Sequence, residues 1–509
     1  MATTFIANDG YGMYKAGPAG TPIAPSVIRG KVIADSLVEF GGRNGAIKFL
    51  APDPHKIVEM LSVKDPTKMA DLYSISLDEI VEYLVALGDA LALKKNARMQ
   101  EACELSYYTA PTTPPLLKRQ FEEIDQVFSR ISLEETIDSV GRAYLEGWVE
   151  RRMQGGKVAH IRAFGARALH IIAGNGPALA AVTIIRNAIT RSDAIIKAPS
   201  NDPFTAGAIA RTMVDMAPDH PITKHLAVAY WKGGDQEVEQ QLYQPQNVEK
   251  IVAWGGFASV KHVTRYIQPG LELISLDPKR SISIVGPEAF ENDASLDEAA
   301  QRVASDVGCH NQEGCVNARV LYVCSGTDDN GIARLEKLGE RVYEKMMQLP
   351  ALVSTPPKGG INPELKSHLT ATSVNDEWFR VIGGDHDEGA VIISKLSEPV
   401  DFAPSLTNRV ANLVPLDEPE DMLPRVDAYC QTVGVYPESL VMKLRDKLSV
   451  HGAQRIVSLG YAVSANVALP QDALEVLRRM CKWIVNEYSK PDTVLPPWLG
   501  GGLFSSRPE

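Results

Sequence analysis

The sequence predicts an α/β fold in which a doubly wound parallel sheet is followed by a second α/β unit. Between residues 166 and 277, short apolar runs alternate with stretches long enough to form helices. Strands and helices in this order form right-handed βαβ units, which build parallel sheets. A new strand pattern starts near residue 281. We therefore divide the chain into residues 1–280, a second α/β unit at 281–450, and a C-terminal segment at 451–509.

The region before the first sheet is expected to be a mostly helical layer. Its first 70 or so residues are rich in Gly and Pro and contain short β-like pieces. Two helices are predicted to start at capping boxes, in which Ser76 precedes Glu79 and Ser132 precedes Glu135. Apolar residues at helical spacing extend the second predicted helix as far as Trp148.

The strands of the first sheet are predicted to end in small or polar residues. These ends read "AGNGP", "KAPSNDP", "WKGGD" and "WGGFAS". In parallel sheets, ligands bind beyond the carboxyl ends of the strands, and small residues let the backbone approach a phosphate. The pattern favours a dinucleotide-binding domain, with Gly174, Gly255 and Gly256 as candidate cofactor-binding positions. The full glycine fingerprint is absent, because "GNGPAL" supplies a single G-x-G.

The second unit is predicted to contain a helix at 331–348, three short strands between 380 and 416, and a helix near 417–431. The tail segment 471–489 is amphipathic. The loop-like end exposes apolar residues at Trp498, Leu499 and Phe504, which suit either a contact in a homo-oligomer or a tail docked on its own chain.

Composition excludes several classes of function. The net charge is −11 and no long basic run occurs, so we expect no nucleic-acid partner. No apolar stretch is long enough for a membrane span, and the N-terminus lacks the pattern of a secretion signal. The six cysteines form neither a C-x-x-C pair nor a Cys/His cluster at zinc spacing. These features predict a cytoplasmic enzyme with free thiols and no metal site.

Cys315 is the candidate nucleophile. It lies in "GCHNQEGCVNARVLYV" (308–323), between a loop and a predicted strand, where backbone N–H groups can lower the pKa of a thiol. The alternative is that it packs as a small apolar residue, which is also what we expect of Cys309 and Cys324. His310 is a weak candidate for a proton donor, since a His beside Asn and Gln is more often structural.

Asn175 and Lys197 each follow a predicted strand. The Asn175 amide is suited to donate a hydrogen bond to a developing oxyanion, although Asn also favours turns. Lys197 is suited to contact a cofactor hydroxyl or phosphate, or alternatively to extend its ammonium to solvent at the sheet edge.

The order and spacing of "AGNGPALA", "IIKAPSNDPFTAG" and "HNQEGCVNARV" resemble the aldehyde dehydrogenase superfamily over roughly residues 165–325. Within that superfamily, the whole chain resembles the LuxC-type acyl-CoA reductases, the family of the fatty acid reductase subunit of bacterial bioluminescence. The stretches "IVAWGG", "LISLDPKRSISIV" and "RIVSLGYAV" fit this branch better than ordinary aldehyde dehydrogenases.

Three positions depart from the superfamily pattern. Ser275 stands where hydrolytic aldehyde dehydrogenases carry a Glu that activates water, which implies slow hydrolysis of an acyl-enzyme. Ser200 stands where an acidic residue commonly holds the adenosine ribose, which implies that the 2′-phosphate of NADPH is accepted, with NADH as the alternative. Asn408 lies at about the position of a second Glu that contacts the nicotinamide ribose, without a clear match.

The resemblance implies that Cys315 attacks an acyl-CoA thioester while Asn175 and the Cys315 backbone N–H hold the oxyanion. Coenzyme A leaves, NADPH reduces the acyl-cysteine, and an aldehyde is released. It also implies a homo-oligomer. Three alternatives stay open: an aldehyde dehydrogenase that forms an acid or an acyl-CoA, a protein that uses an acyl carrier or another acyl-transferring protein as donor, and a non-enzymatic assembly subunit. Retention of Cys315, Asn175 and Lys197 argues against the last.

Overall fold

The computed structural model describes residues 20–153, 157–492 and 494–502. The described strands form two seven-stranded sheets, one three-stranded sheet and one two-stranded sheet. The strands are β1 (Ser26–Ile28), β2 (Lys31–Ile33), β3 (Leu37–Phe40), β4 (Phe49–Pro52), β5 (Val149–Arg152), β6 (Val158–Phe164), β7 (Arg167–Ile171), β8 (Asp193–Lys197), β9 (Leu226–Ala229), β10 (Lys250–Trp254), β11 (Glu272–Leu276), β12 (Arg280–Val285), β13 (Ala318–Val323), β14 (Phe379–Gly383), β15 (Ala390–Ser394), β16 (Val410–Pro415), β17 (Cys430–Tyr436), β18 (Arg455–Ser458) and β19 (Lys482–Tyr488).

The α-helices of the described residues lie between these strands. They are α1 (Pro54–Leu61), α2 (Leu77–Leu91), α3 (Ala97–Thr109), α4 (Pro114–Glu122), α5 (Arg130–Val140), α6 (Arg142–Glu146), α7 (Ala178–Ile189), α8 (Thr205–Met216), α9 (Pro221–Lys224), α10 (Gln236–Leu242), α11 (Phe257–Val263), α12 (Asp293–Gly308), α13 (Asp329–Met347), α14 (Pro363–Ser373), α15 (Glu438–His451) and α16 (Val476–Met480). None of the helices described is long and apolar enough to cross a membrane.

The first seven-stranded sheet has the order β11-β10-β7-β8-β9-β1-β2. The five strands from β11 to β9 are parallel, which confirms the doubly wound sheet predicted from the alternating pattern. The N-terminal strands β1 and β2 extend it in the antiparallel sense. Apolar residues of both faces are buried beneath helices. The chain winds outward from β7 in both directions, so a crevice opens between the carboxyl ends of β7 and β10.

The second seven-stranded sheet has the order β14-β15-β16-β13-β12-β17-β18. All its pairings are parallel except the one between β14 and β15. Separate apolar clusters cover its two faces, which confirms a second α/β unit. Only residues 277–279 connect β11 to β12. The carboxyl edge of the first sheet therefore lies next to the amino edge of the second.

The two predicted capping boxes have different outcomes. Ser76 caps α2, and its hydroxyl accepts a hydrogen bond from the Glu79 N–H at 3.0 Å. The prediction that Ser132 starts the next helix is wrong, because Ser129 caps α5 three residues earlier and accepts from the Ser132 N–H at 3.4 Å. This helix then ends at Gly141, whose φ of +98° departs from helical geometry, so Trp148 does not belong to it.

The C-terminal third also differs from its prediction in two places. The helix expected near 417–431 is a short 3₁₀ segment at Pro419–Arg425, which contains an internal proline and is followed by β17. The amphipathic tail divides into the short α16 and the strand β19, which pairs antiparallel with β6 in the three-stranded sheet. Trp498 and Leu499 are exposed, whereas Phe504 lies outside the described residues. The domain limits and the oligomeric role of the tail stay predictions.

Candidate active site

The loop that carries Cys315 has an unusual backbone. His310, Asn311 and Gln312 all lie in the left-handed region, with φ of +52°, +55° and +62°. Residues other than glycine avoid this region, and Asn and His tolerate it better than most. Three such residues in a row persist only if their surroundings hold them. The sequence favours this turn through its Asn and His, but tertiary contacts must stabilise it.

Side-chain amides supply those contacts. The Gln312 amide donates to the carbonyls of Ala318 and Val410 at 2.9 Å each, and its oxygen accepts from the Val410 N–H at 3.0 Å. The Asn317 amide donates to the Asp306 and Cys309 carbonyls at 3.0 Å. Because these groups are buried, each missing bond would leave a polar atom without a partner. The loop is thereby fixed at the amino ends of β13 and β16.

Cys315 is partly exposed and lies three residues before the start of β13. Its pKa is raised, first by burial and then by the negative charge of Asp472, although the Gln431 amide, the positive charge of Arg319 and its own backbone N–H act in the opposite direction. The backbone N–H lowers this pKa, as the sequence predicts, but burial has the larger effect and the net shift is upward. The thiol is therefore protonated at neutral pH in the resting protein.

The other two cysteines near this strand are buried. Burial raises the pKa of the Cys309 thiol, which lies 3.5 Å from the Ser305 hydroxyl. Burial also raises the pKa of Cys324 to about 12. Both thiols sit in the interior as small apolar groups, as the sequence indicated.

Asn175 joins the two sheets. It lies beyond the carboxyl end of β7, and its amide donates to the carbonyl of Glu313 at 3.3 Å. Its own carbonyl oxygen is buried and makes no hydrogen bond with the described residues. The structure therefore brings Asn175 to the backbone two residues before Cys315, at the crevice between the sheets. Its part in holding an oxyanion stays a prediction.

Lys197 is buried at the end of β8. Its ammonium lies 5.6 Å from the centre of the Trp231 ring and 6.0 Å from that of Tyr230. Burial lowers the pKa of Lys197 to about 8. The alternative that its ammonium extends to solvent at the sheet edge is excluded, since the residue is only 7% exposed. Close by, the Ser200 hydroxyl lies 3.1 Å from the Tyr230 hydroxyl.

The remaining candidate positions lie along the same edge. A Cβ at Gly174 would approach the side chain of Asn201 to 2.3 Å, so this close contact requires glycine. Around Gly256 there is open space, with no atom within 4 Å of a Cβ built there. At Gly255 the nearest atom would be 3.7 Å away, in Ser259. The Ser275 hydroxyl hydrogen-bonds to the carboxylate of Asp277.

A dinucleotide fits this edge of the first sheet. The open space beside Gly255 and Gly256 allows a phosphate to approach the backbone, and the buried ammonium of Lys197 lies two strands away. Both features lie along the carboxyl edge where the strand order changes direction. The residues present are thus compatible with a nicotinamide dinucleotide, and their individual contacts to it stay predictions.

Two site residues were missed from the sequence. Gln431 is the second residue of β17, its amide donates to the carboxylate of Asp472 at 2.6 Å, and both side chains contribute to the pKa of Cys315. Burial raises the pKa of Asp472. Neither residue belongs to a local motif, and each is more than a hundred residues from Cys315 in the chain. No pattern in the sequence pointed to them.

Two weaker candidates are engaged elsewhere. His310 Nδ1 lies 3.0 Å from the Gln120 amide, and burial lowers the pKa of the imidazole. The side-chain oxygen of Asn408 accepts a hydrogen bond from the Asn362 N–H at 3.0 Å. Both contacts hold loops together, so nothing in the geometry adds either residue to the site.

The arrangement defines an aldehyde dehydrogenase-like fold with a cysteine at the junction of two parallel-sheet units. Solved structures of similar fold include the NADP-dependent glyceraldehyde-3-phosphate dehydrogenase from Bacillus halodurans, which is 12% identical, with a TM-score of 0.69, 91% of this chain covered and 98% of the other. Lactaldehyde dehydrogenase from Escherichia coli is 14% identical, with a TM-score of 0.68 and coverage of 92% and 100%. These likenesses establish the fold.

The family follows from the sequence comparison. The family model described as "Acyl-CoA reductase (LuxC)" matches residues 72–483, so this chain belongs to that family and is an oxidoreductase. It is 26% identical to the long-chain acyl-protein thioester reductase of Aliivibrio fischeri over 439 residues, which are 85% of this chain and 86% of the relative. It is 29% identical to the protein of the same name from Photorhabdus luminescens over 338 residues, 65% of each chain.

Proposed function

We propose that this protein reduces a fatty acyl thioester to the aldehyde through an acyl-Cys315 intermediate. One observation supports this most directly: the Asn175 amide reaches the Cys315 loop across the crevice between the two sheets. A thiol and an amide donor at such a crevice match what acyl transfer to sulfur requires. Membership of a family described as acyl-CoA reductases supports the direction of the reaction.

In the first half of the reaction, the Cys315 sulfur attacks the thioester carbonyl. The oxyanion that develops takes the Asn175 amide hydrogen bond, which in the resting protein goes to the Glu313 carbonyl at the long distance of 3.3 Å. The donor thus has a weak partner to exchange for a charged one. The thiol of the donor leaves, and the acyl group stays on Cys315.

In the second half, the acyl carbon on Cys315 would take a hydride, the chemistry that a nicotinamide cofactor held along the carboxyl edge of the first sheet would supply. The resulting thiohemiacetal anion on Cys315 would collapse, releasing the aldehyde and the cysteine thiolate. Sulfur suits both halves, since a thiolate is a good nucleophile and a good leaving group. Ser275, at the end of β11, cannot act as the carboxylate base that would activate water, which favours reduction over hydrolysis of the acyl group.

NADPH is the proposed cofactor, with NADH as the alternative. The Ser200 hydroxyl contacts Tyr230 and presents no carboxylate, so nothing at that position repels a 2′-phosphate. The buried Lys197 ammonium on the same strand end is available to an anionic or hydroxyl group of the cofactor.

The acyl donor is either acyl-CoA or a protein-bound acyl thioester. The family description favours the first, and the names of the relatives favour the second and a long acyl chain. Both donors present a thioester to Cys315. An acyl carrier or acyl-transferring protein is therefore a candidate partner, beside further copies of this chain in a homo-oligomer.

The test is cofactor oxidation with acyl-CoA thioesters of graded length and with the same acyl groups on an acyl carrier protein. Wild type, Cys315→Ala and the control Cys309→Ala are compared. We expect thioester-dependent oxidation of NADPH with release of the donor thiol in wild type and Cys309→Ala, and none in Cys315→Ala. Production of free acid from an aldehyde and NADP, without turnover of any thioester, would contradict the proposal.

A further inference from the structure

A hairpin in the N-terminal part of the chain places Arg43 beside the carboxyl edge of the first sheet. The strands β3 and β4 pair antiparallel, and residues 41–48 connect them. In this loop the Arg43 backbone N–H donates to the carbonyl of Ser200, just beyond β8, at 2.9 Å. The hairpin lies before residue 72, where the match to the family model begins. Membership of the family therefore assigns it no role.

The residues around Arg43 suit the sharp turn that the loop makes. Gly42 and Gly45 have φ of +63° and +72°, and Asn44 has φ of +56°. Glycine and asparagine adopt the left-handed region more readily than other residues. The stretch "GGRNG" thus carries its arginine on a backbone that its own sequence favours, against the residue that follows β8.

Aromatic packing holds the hairpin against the same strand end. The Tyr230 ring contacts Phe40 and Phe49 edge-on, with ring centres 4.9 Å apart in both pairs. The Tyr230 hydroxyl lies 3.1 Å from the Ser200 hydroxyl, and the Lys197 ammonium lies 6.0 Å from the centre of the ring. One buried ring therefore connects the hairpin with both residues that we assign to the cofactor at this strand end.

The Arg43 guanidinium is available to an anion. The residue is exposed, and its side chain forms no ion pair or hydrogen bond with any part of the chain that the structure describes. Burial raises the pKa of Glu313 and the positive charge of Arg43 acts against it, but no ion pair joins the two side chains. Lys48, in the same loop, is instead paired with Glu39 at 3.1 Å.

The proposed cofactor brings a phosphate to this place. Ser200 stands at the position expected to meet the adenosine ribose, and NADPH carries a 2′-phosphate on that ribose. A guanidinium binds phosphate through paired, charge-assisted hydrogen bonds, and in dinucleotide-binding folds a nearby Arg accommodates the 2′-phosphate. Specificity combines the absence of repulsion with a new attraction. Ser200 accounts for the first, and Arg43 can supply the second.

Building on the proposed NADPH-dependent reduction, we propose that Arg43 binds the 2′-phosphate of NADPH and thereby selects NADPH over NADH. The aromatic residues of the hairpin fix the loop, and its hydrogen bond to Ser200 holds the arginine next to the ribose position. NADH lacks the 2′-phosphate, so its affinity does not depend on Arg43.

Equilibrium binding without turnover tests this role. Fluorescence titration with NADPH and with NADH gives two dissociation constants for wild type, Arg43→Ala and Arg43→Lys. Wild type should bind NADPH more tightly than NADH. Arg43→Ala should weaken NADPH binding by about 10–100-fold, as expected for the loss of a hydrogen bond to a charged group, and leave NADH binding unchanged. Arg43→Lys should keep part of the affinity, because it retains the charge without the paired donors.

Lys48→Ala is the matched control, since it removes a paired cation from the same loop and should leave both dissociation constants at wild-type values. Unchanged NADPH affinity in Arg43→Ala overturns the inference, and so does an equal loss of affinity for both cofactors. Coenzyme A is titrated in parallel, because it carries a 3′-phosphate on its own adenosine ribose. A loss confined to coenzyme A would assign Arg43 to the acyl donor and also overturn the inference.

Wild-type protein provides a measurement that does not depend on the folding of a variant. Adenosine 2′,5′-bisphosphate should displace NADPH at a lower concentration than AMP does, and added salt should narrow this difference by screening the guanidinium. Equal displacement by the two nucleotides would overturn the role of Arg43. Failure of wild type to bind either NADPH or NADH would instead contradict the proposed function itself, so the two failures are distinguishable.

Discussion

The carboxyl edge of the first sheet and the amino edge of the second meet at the site, yet they are built differently. At the first edge, each candidate residue lies at the end of its own strand or a few positions beyond it, as Asn175 follows β7 and Ser200 follows β8. At the second edge, the groups that fix the Cys315 loop come from several strands: the Ser281 hydroxyl of β12 donates to the Cys315 carbonyl, and the Gln312 amide bonds the first residues of β13 and β16.

The two edges also differ in backbone strain. None of the candidate positions described at the first edge has a left-handed backbone. At the second edge, residues 310–312, 408–409 and 472–473 all do. Strain of this kind persists only where the surroundings compensate it, and it concentrates at functional sites. A sheet edge that binds a cofactor needs little more than strand ends, whereas positioning a reactive sulfur requires a scaffold of side-chain bonds.

The largest effect is expected for Gln312→Ala, which disrupts the loop at the second edge. The substitution removes three buried hydrogen bonds to Ala318 and Val410 and opens a cavity. We expect a loss of about 3–5 kcal/mol in the free energy of unfolding, since each unpaired buried polar group costs about 1–3 kcal/mol. Chemical denaturation measures it. Gln246→Ala, at an exposed site, should be neutral, and an equally small effect at Gln312 would show that the loop does not depend on this scaffold.

Asn175→Ala tests the connection between the edges. Loss of the amide donor should lower the acylation rate of Cys315 by about 10²–10³-fold, the usual cost of removing an oxyanion donor. Single-turnover release of CoA measures this rate. Asn175→Asp keeps the shape but replaces the donor with a negative charge, so it should be at least as slow. Retained activity in both variants would leave Asn175 as a purely structural link.

The pH dependence of NADPH affinity tests the role of Lys197 at the first edge. Its pKa of about 8 means that the ammonium is charged below pH 8 and loses its charge as the pH rises through that value. Affinity for NADPH should therefore be highest near pH 7 and fall about tenfold by pH 9. Fluorescence titration measures the affinity. Lys197→Met should bind weakly at both pH values, and Lys224→Met, at the opposite end of β9, should follow wild type.

The smallest expected effect concerns the tight turn at residues 471–474, in which Gln471 and Leu474 exchange backbone hydrogen bonds and Ala473 has a left-handed backbone with φ of +59°. Ala473→Gly should stabilise the protein by about 1 kcal/mol, because glycine adopts the left-handed region without a steric cost. Thermal unfolding measures the change. Ala333→Gly on the exposed face of α13 should have the opposite sign and cost about 0.5–1 kcal/mol. Destabilisation by both variants would mean that Ala473 is not strained.

The secondary structure predicted from the sequence is most accurate in the first sheet unit, where buried strands and helices produce a regular pattern of apolar residues. Every strand and helix expected between 166 and 277 is present, because strands and helices buried between layers keep continuous apolar runs. The predicted helix start at Ser132 and the helix predicted near 417–431 were wrong, since Ser129 offered an earlier cap and the internal Pro424 limited the later segment to a 3₁₀ turn. In both segments, the choice of capping residue or the presence of an internal proline decided where a helix could form.

The sequence alone determined the parallel sheets, the strand ends of the first edge and Cys315 with its amide-rich loop, because these depend on residues near one another in the chain. Only the tertiary structure decided that Asn175 reaches the Cys315 loop, that Lys197 is buried, and that the Gln431 amide bonds the Asp472 carboxylate. Contacts between distant segments, and the burial that shifts pKa values, arise from packing and leave no local pattern in the sequence.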